Sequence, residues 1–343
     1  MKKNNISIIA ALLFVVCGAG EANAQQSLGE QINEDFKQNT TIGGCIIGRA
    51  GWTDNEASNN ETEFQVRSVR AHIAGKVLDF GYMLQMEMTG VAGGKMEEGP
   101  HIVDAWVEWQ KYDFLRIKIG QQKRAFTFEN PYHPMDIGFG TYSQCVTYLG
   151  GYADKVGEQL SHGRDVGLAL QGDLIPMADH KFLHYHAGIY NGQGCNHTDK
   201  NKHKDLIAGL WVEPMKDLLV GIYGWNGNFV NSQGETLKRE RWTAGLQYES
   251  DWSVRAEYIG DRDADGWYAL VGVPVVNKFK VYGRWDVYRS DKSWNTTKTN
   301  SGLAAEYSVC KNLKLQTNYT FTHDRLAIDR DYNAFDIQAY VRF

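Results

Sequence analysis

The chain has 343 residues, with 36 Lys and Arg against 41 Asp and Glu, so its formal net charge is −5. This balance excludes the strongly basic surface that nucleic-acid-binding proteins use. Its 36 glycines, 18 tyrosines and 10 tryptophans against only 6 prolines favour long strands with aromatic ends over helices.

The first residues are typical of an exported protein. Two lysines precede the apolar run 6–16, and small residues at 22–24 offer a cleavage site. We therefore predict a signal peptide over residues 1–24, followed by a short polar periplasmic segment over residues 25–39.

Sixteen strand-like segments follow, from Thr40 to the C-terminus. Their predicted spans are 40–52, 63–76, 79–89, 101–111, 114–121, 163–172, 182–190, 205–213, 217–225, 240–249, 252–260, 266–274, 277–288, 299–308, 312–322 and 332–343. Short turns alternate with long loops, of which the longest covers residues 122–162. This alternation and an even strand number are typical of transmembrane β-barrels. The sequence therefore predicts an all-β protein, a 16-stranded antiparallel transmembrane β-barrel over residues 40–343.

Apolar and polar side chains alternate along several segments, so each of these has one apolar and one polar face. In the last segment the apolar face consists of Phe335, Ile337, Ala339, Val341 and Phe343. In the fourth segment the residues predicted to face lipid are Val103, Ala105, Val107 and Trp109. Alternation fails between Val66 and Val69, which predicts a β-bulge there. A terminal Phe343 is typical of the strand recognised by the outer-membrane barrel assembly machinery.

A barrel of about 16 strands leaves a water-filled bore. Loops as long as residues 122–162 are usually functional, so we expect this third outer loop to fold inward and narrow the bore. The pattern predicts a porin of the Gram-negative outer membrane, in contact with lipid and lipopolysaccharide. It would pass small hydrophilic solutes or inorganic anions without enzymatic chemistry or a cofactor. The predicted pore-lining residues are Arg70, Asp104, Glu108, Arg116, Lys118, Lys123, Arg124, Arg164, Arg241, Arg255, Lys280 and Arg284.

A basic stripe follows the fifth segment and the start of the long loop. It consists of Arg116, Lys118, Lys123 and Arg124. These charges could steer anions into the bore, because a cleft with low-dielectric walls focuses the electric field. In the alternative interpretation, Asp104 and Glu108 on the adjacent strand neutralise them.

Other interpretations stay open from the sequence. His184 and His186 could bind a metal ion, although no third ligand is evident, and the aspartates within 261–265 begin like a calcium loop that lacks its final glutamate. A disulfide between Cys145 and Cys195 is feasible in an exported protein. A slide for sugars would use inward-facing aromatic residues, for which the candidates are Trp106, Tyr190, Tyr282, Tyr288 and Tyr340. The main alternative in function is a surface adhesin or receptor barrel whose outer loops bind a ligand.

Four stretches resemble, in chain order, the phosphate- and polyphosphate-selective porin family: residues 104–126, 163–170, 185–194 and 204–214. They contain a DAxVE strand and an LRIKIGxxK strand, then, after a long loop, a GRDVG strand and a YxxGxxNG strand. The resemblance implies a 16-stranded barrel, usually a homotrimer, that passes anions or other small solutes. Selectivity in well-studied members rests on a ladder of arginines and a cluster of lysines, whereas acidic and basic residues are mixed in the lumen predicted here. The resemblance therefore supports the architecture more strongly than phosphate specificity.

Overall fold

The computed structural model describes residues 22–58, 61–89, 99–153, 162–231, 233–328 and 330–343, and within these ranges sixteen antiparallel strands close into a barrel. The strands are β1 (Thr41–Thr53), β2 (Thr62–Val77), β3 (Phe80–Glu87), β4 (His101–Tyr112), β5 (Leu115–Lys123), β6 (Arg164–Pro176), β7 (Lys181–Tyr190), β8 (Asp205–Met215), β9 (Leu218–Val230), β10 (Thr236–Glu249), β11 (Ser253–Gly260), β12 (Asp265–Val276), β13 (Phe279–Arg289), β14 (Thr297–Cys310), β15 (Leu313–Asp324) and β16 (Asp331–Arg342). Helix α1 (Ala22–Asn39) precedes the barrel, and helix α2 (Gln144–Leu149) lies between β5 and β6. Among the described residues, no helix combines the length and the apolar character needed to cross a membrane.

The first and last strands close the barrel. In their antiparallel register, Cys45 of β1 lies opposite Arg342 of β16. The terminal Phe343 extends this ladder, since its N–H donates to the carbonyl of Gly44 at 3.0 Å and its carbonyl accepts from the Gly44 N–H at 2.9 Å. The predicted 16-stranded antiparallel barrel is therefore confirmed.

Some strands extend further than the alternation of side chains predicts. β9 continues to Val230 and β10 begins at Thr236, so the loop predicted over residues 226–239 is reduced to residues 231–235. Backbone pairing continues here although the side chains are mostly polar or glycine. Apolar alternation is needed only where a strand crosses hydrocarbon, so it underestimates strands that project beyond the membrane.

A β-bulge interrupts the pairing of β1 with β2. Ile47 lies opposite Ser68 and Gly48 lies opposite Val66, so Arg67 is the extra residue of β2. This confirms the bulge predicted between Val66 and Val69. A bulge reverses the alternation of side chains on its two sides, which explains the poor pattern in the sequence.

A second bulge, in β4, overturns the orientation predicted for one residue. Gln85 of β3 lies opposite Asp104, but Met86 lies opposite Ile102, which leaves Val103 without a partner. Val103 is buried and Ile102 is exposed. The prediction that Val103 faces lipid is therefore wrong, because an extra residue in the pairing shifts the face that the preceding residues occupy.

The outside of the barrel is apolar along most of its circumference. Large exposed apolar side chains on successive strands include Leu168 and Leu170, Ile189, Leu206 and Leu210, Val220 and Ile222, Trp242, Val271, Trp285, Leu303, Leu315 and Tyr319. On β16, Phe335, Ile337 and Val341 are exposed, whereas Asp336, Gln338 and Tyr340 are buried on the inner side. The apolar outer face and polar inner face predicted for this strand are thus present.

Helix α1 contacts the turn between β2 and β3. The Asp35 carboxylate accepts a hydrogen bond from the backbone N–H of Leu78 at 2.9 Å, and the ring of Phe36 stacks on Tyr82 at 5.9 Å. The polar segment predicted over residues 25–39 is thus helical and contacts the end of the wall at the β2–β3 turn, and its periplasmic location stays a prediction. The predicted signal peptide lies almost wholly outside the described residues, so its cleavage stays a prediction.

Candidate pore and its inner loop

Residues 124–153, here called the inner loop, make hydrogen bonds with inward-facing side chains of the wall. Wall cations donate to its backbone carbonyls, in the pairs Lys314 with Met135, Arg255 with Ile137, Arg284 with Thr141 and Arg241 with Leu149. These donors belong to β15, β11, β13 and β10. Because they come from strands spread over a wide arc of the barrel, the segment lies across the interior rather than above one edge.

Wall carboxylates hold the backbone N–H groups of the same loop. Glu257 accepts from the N–H of Phe128 at 3.0 Å, and both oxygens of Asp286 accept from the N–H of Gln144, at 2.8 and 3.1 Å. All these groups are buried, and a buried N–H without an acceptor is costly. The wall therefore satisfies main-chain donors and acceptors of the inner loop.

Apolar packing adds to these bonds. Phe126 meets Trp225 edge-to-face at 5.3 Å, and Phe128 meets Tyr223 in the same way at 5.3 Å. Met135, within the first half of the loop, packs in a small buried cluster with residues of β1 and β16. The inner loop thus covers the wall from β9 through β16 to β1.

The sequence-predicted pore-lining residues lie mostly in ion pairs on the inner side. The shortest N–O distances are 2.9 Å for Arg70 with Glu87, Arg116 with Asp173 and Arg164 with Asp104, 3.0 Å for Arg255 with Glu249, 3.1 Å for Arg241 with Asp261, 3.6 Å for Lys118 with Glu108, 3.7 Å for Arg124 with Asp165 and 3.8 Å for Arg284 with Asp286. Two predicted cations have neutral partners. Lys123 donates to the carbonyls of Asn130, Pro131 and Tyr132, and Lys280 donates to the Ser253 hydroxyl at 2.8 Å.

These contacts bear on the two interpretations of the basic stripe. Lys118 pairs with Glu108, as the neutralising interpretation expects. Asp104, however, holds Arg164 through two hydrogen bonds, and Arg116 pairs instead with Asp173 of β6. Each charge of the stripe therefore has an acidic or carbonyl partner, which limits its attraction for a passing anion.

Sequence reasoning missed three residues that contribute to this interior. Asp173 pairs with Arg116, and Glu129 of the inner loop accepts hydrogen bonds from the N–H and hydroxyl of Ser143 at 2.8 and 2.7 Å. Arg67 enters the interior at the β2 bulge, where its guanidinium donates to the Gln338 side chain at 2.7 Å. Only Arg67 left a signal in the sequence, namely the broken alternation around it.

The histidines and aspartates that suggested metal sites in the sequence have other partners in the structure. The ring of His184 lies between Asp173, at 2.8 Å, and Glu213, at 3.3 Å. Among the described residues, no group of three His, Cys, Asp or Glu side chains is arranged to hold a metal ion. In the supposed calcium loop, Asp261 pairs with Arg241 and Asp265 with Arg289, so their carboxylates do not converge.

The proposed aromatic slide is not available to a solute. Tyr190, Tyr282, Tyr288 and Tyr340 are all buried, and Trp106 lies beneath the ammonium group of Lys118 at 4.4 Å. Because a sugar needs exposed aromatic faces to stack on, this interpretation is not supported.

Cys145, Cys195 and His133 have pKa values shifted by burial that keep their side chains uncharged. Cys145 and Cys195 form no disulfide with each other, and burial raises the pKa of both thiols. Burial, with the nearby charges of Arg70 and Lys123, lowers the pKa of His133 to about 2. His133 is therefore neutral throughout the physiological range.

Comparison with known proteins agrees with this geometry. The family model described as phosphate-selective porin O and P matches residues 48–159. A search of curated protein sequences gives no significant match. Similar solved structures include an anion-selective porin from Comamonas acidovorans, with a TM-score of 0.66 at 13% identity, covering 89% of this chain and 99% of that chain.

Two further solved structures have similar scores. OmpF of Salmonella typhi, in complex with daunomycin, has a TM-score of 0.66 at 13% identity, covering 89% of this chain and 98% of that chain. The trimer form of in-vitro folded OmpT of Vibrio cholerae has a TM-score of 0.59 at 14% identity, covering 89% of this chain and 99% of that chain. At these identities the likeness concerns the fold.

The predicted family resemblance is confirmed by the match over residues 48–159, and the apolar outer face indicates a wall that contacts lipid. The chain is thus an outer-membrane β-barrel of the porin fold that carries, over residues 48–159, the sequence pattern of the phosphate-selective porin O and P family.

Proposed function

We propose that this protein is a passive diffusion channel for small hydrophilic solutes and ions. The observation that carries the proposal is a closed barrel with an apolar outside and a charged, hydrogen-bonded inside. A ring of about 16 strands is wide enough for an aqueous bore. Solutes would cross down their concentration gradient, filtered by the width of the bore and by its lining charge.

The inner loop is the proposed constriction. Its hydrogen bonds to β10, β11, β13 and β15 support a position within the bore, and its packing from β9 to β1 leaves the opposite arc of the wall to line the path. Arg116, Lys118, Glu108 and Asp173 lie on this opposite arc. A constriction between the loop and these residues would exclude large solutes.

Ion selectivity is proposed to be weak. Most predicted pore-lining cations have a carboxylate within ion-pair distance, so their fields are largely cancelled at the range of a passing ion. We therefore propose a modest anion preference at most, without a dedicated phosphate site. Strong cation selectivity is not expected either, because the carboxylates of these pairs are neutralised by their basic partners.

The assembly proposed for the channel is a homotrimer embedded in lipid and lipopolysaccharide. One similar solved structure, OmpT of Vibrio cholerae, is described as a trimer form, which supports this assembly. The exposed Phe343 at the end of β16 supports delivery by the barrel assembly machinery, after removal of the signal peptide. We propose no enzymatic activity.

Conductance in planar lipid bilayers tests the channel directly. The purified mature protein should give stable, stepwise current increases, and liposomes containing it should swell in small sugars faster than in large ones. An absence of current steps, together with ligand binding by the outer loops, would contradict the channel and favour the adhesin or receptor alternative.

A further inference from the structure

The β2 bulge decides on which side of the wall one arginine lies. In an unbroken strand Arg67 would share a face with Val69, which points to the lipid side with Ile73. Because Arg67 is the extra residue, the alternation reverses there, and Phe64 and Val66 become the outward residues, with exposures of 84% and 53%. The bulge therefore turns the Arg67 side chain away from lipid.

The contacts of Arg67 place it on the inner side. Its Nη1 donates to the Oε1 atom of Gln338 at 2.7 Å, and Gln338 is fully buried on the inner face of β16. This hydrogen bond passes over β1, the strand between them. The next residue, Ser68, is also inward, since its hydroxyl donates to Glu87. Two consecutive residues thus face the bore.

Arg67 differs from its neighbours in its lack of an acidic partner. Arg70 pairs with Glu87 at 2.9 Å, and Arg49 of β1 lies 3.9 Å from Asp336. In the part of the chain that the structure describes, no carboxylate oxygen lies within 4.0 Å of the Arg67 guanidinium, whose partner is a neutral amide. Its positive charge therefore has no carboxylate in direct contact, unlike those of Arg116, Lys118 and Arg124. The Asp336 carboxylate is connected to Arg67 only through the Gln338 side-chain amide, which donates to it at 2.7 Å.

We propose that Arg67, brought into the bore by the bulge, is the residue that gives the channel its anion preference. The inference rests on the proposed channel function and names its selectivity-determining group. An uncompensated guanidinium on the wall attracts anions and repels cations along their path, and this attraction is strongest where water is confined. The paired cations contribute little to the same discrimination.

Reversal potentials under a salt gradient test the proposal. The variant Arg67→Gln keeps a side-chain amide that can bond Gln338 but removes the charge. Its anion-to-cation permeability ratio should fall by roughly fivefold at low ionic strength, because one unit charge about 8 Å away in water favours an anion and disfavours a cation by roughly 2.4-fold each. Arg67→Lys, which keeps the charge, should retain the ratio of the parent protein.

A matched control removes one positive charge from the outer face. Lys238 of β10 is exposed on the outside of the barrel, and Lys238→Gln should leave the permeability ratio unchanged. A conducting Arg67→Gln variant with the selectivity of the parent would overturn this inference alone. An absence of current in the parent protein would instead contradict the proposed function, so the two failures are distinguishable.

Discussion

Replacement of Asp286 by alanine should release part of the inner loop. Both oxygens of this buried carboxylate accept the N–H of Gln144, the first residue of α2, at 2.8 and 3.1 Å. Without the carboxylate, this N–H is buried with no acceptor from the wall, and Arg284 loses its acidic neighbour at 3.8 Å. A hydrogen bond to a charged group contributes about 2 kcal/mol.

This loss should raise the population of the released loop about 30-fold, because about 1.4 kcal/mol corresponds to a factor of ten. Hydrogen–deuterium exchange of the protein in detergent micelles measures this population, since exchange of residues 143–149 requires local opening. We expect these amides to exchange about 30-fold faster in Asp286→Ala, while amides of β1 to β5 keep their rates.

Asp291→Ala is the matched control. Asp291 is a carboxylate in an exposed outer loop, where it accepts hydrogen bonds from Ser293 and Thr296. Its removal should leave exchange at residues 143–149 unchanged. Equal exchange in Asp286→Ala and in the parent protein would refute the idea that wall carboxylates hold the inner loop in place.

Three further outcomes are expected. The pKa of His133 is lowered to about 2 in the anchored loop, whereas a released loop would have the ordinary value of 6.5. The free energy that anchors the loop should therefore be complete above about pH 6.5 and fall as the pH is lowered, by roughly 2 kcal/mol at pH 5. The variant His133→Gln should remove this pH dependence from hydrogen–deuterium exchange rates corrected for pH. Maleimide should label the exposed Cys310 in the folded protein, as detected by peptide mapping. It should label the buried Cys145, whose pKa is raised, only after denaturation. Equal labelling of both cysteines in the folded protein would contradict the burial of Cys145. Gly120→Ala should destabilise the barrel by more than about 1 kcal/mol, seen as a lower unfolding temperature on heated gels. The reason is that Gly120 has a φ of +123° and that a Cβ would lie 2.2 Å from a carbonyl oxygen of β4. The control Gly48→Ala, with open space around the added Cβ, should leave the unfolding temperature unchanged.

The barrel was predictable from the sequence because the pattern that encodes each strand lies within that strand. Alternation along each strand reflects two environments, lipid and bore, on opposite sides of one backbone. The bulge at Arg67 was predictable for the same reason, since a local failure of the pattern marked it. The bulge at Val103 left no such mark, because an apolar residue there is consistent with either face.

The interior was predictable only in part, because its contacts are remote in the sequence. Arg164 was expected near the bore, but its pairing with Asp104 joins residues that lie on strands separated by β5. The anchoring of the inner loop joins Gln144 to Asp286 and Phe128 to Glu257. No spacing rule in a single sequence relates such residues, since only closure of the ring brings them together.

The wall holds the inner loop mainly through the loop's backbone. Arginines and a lysine of the wall donate to its carbonyls, and carboxylates of the wall accept from its N–H groups. Every residue type except proline presents both groups, so most substitutions in the loop would keep these attachments. During evolution, side chains such as the exposed Pro131 could therefore diverge while the surrounding scaffold remains constant.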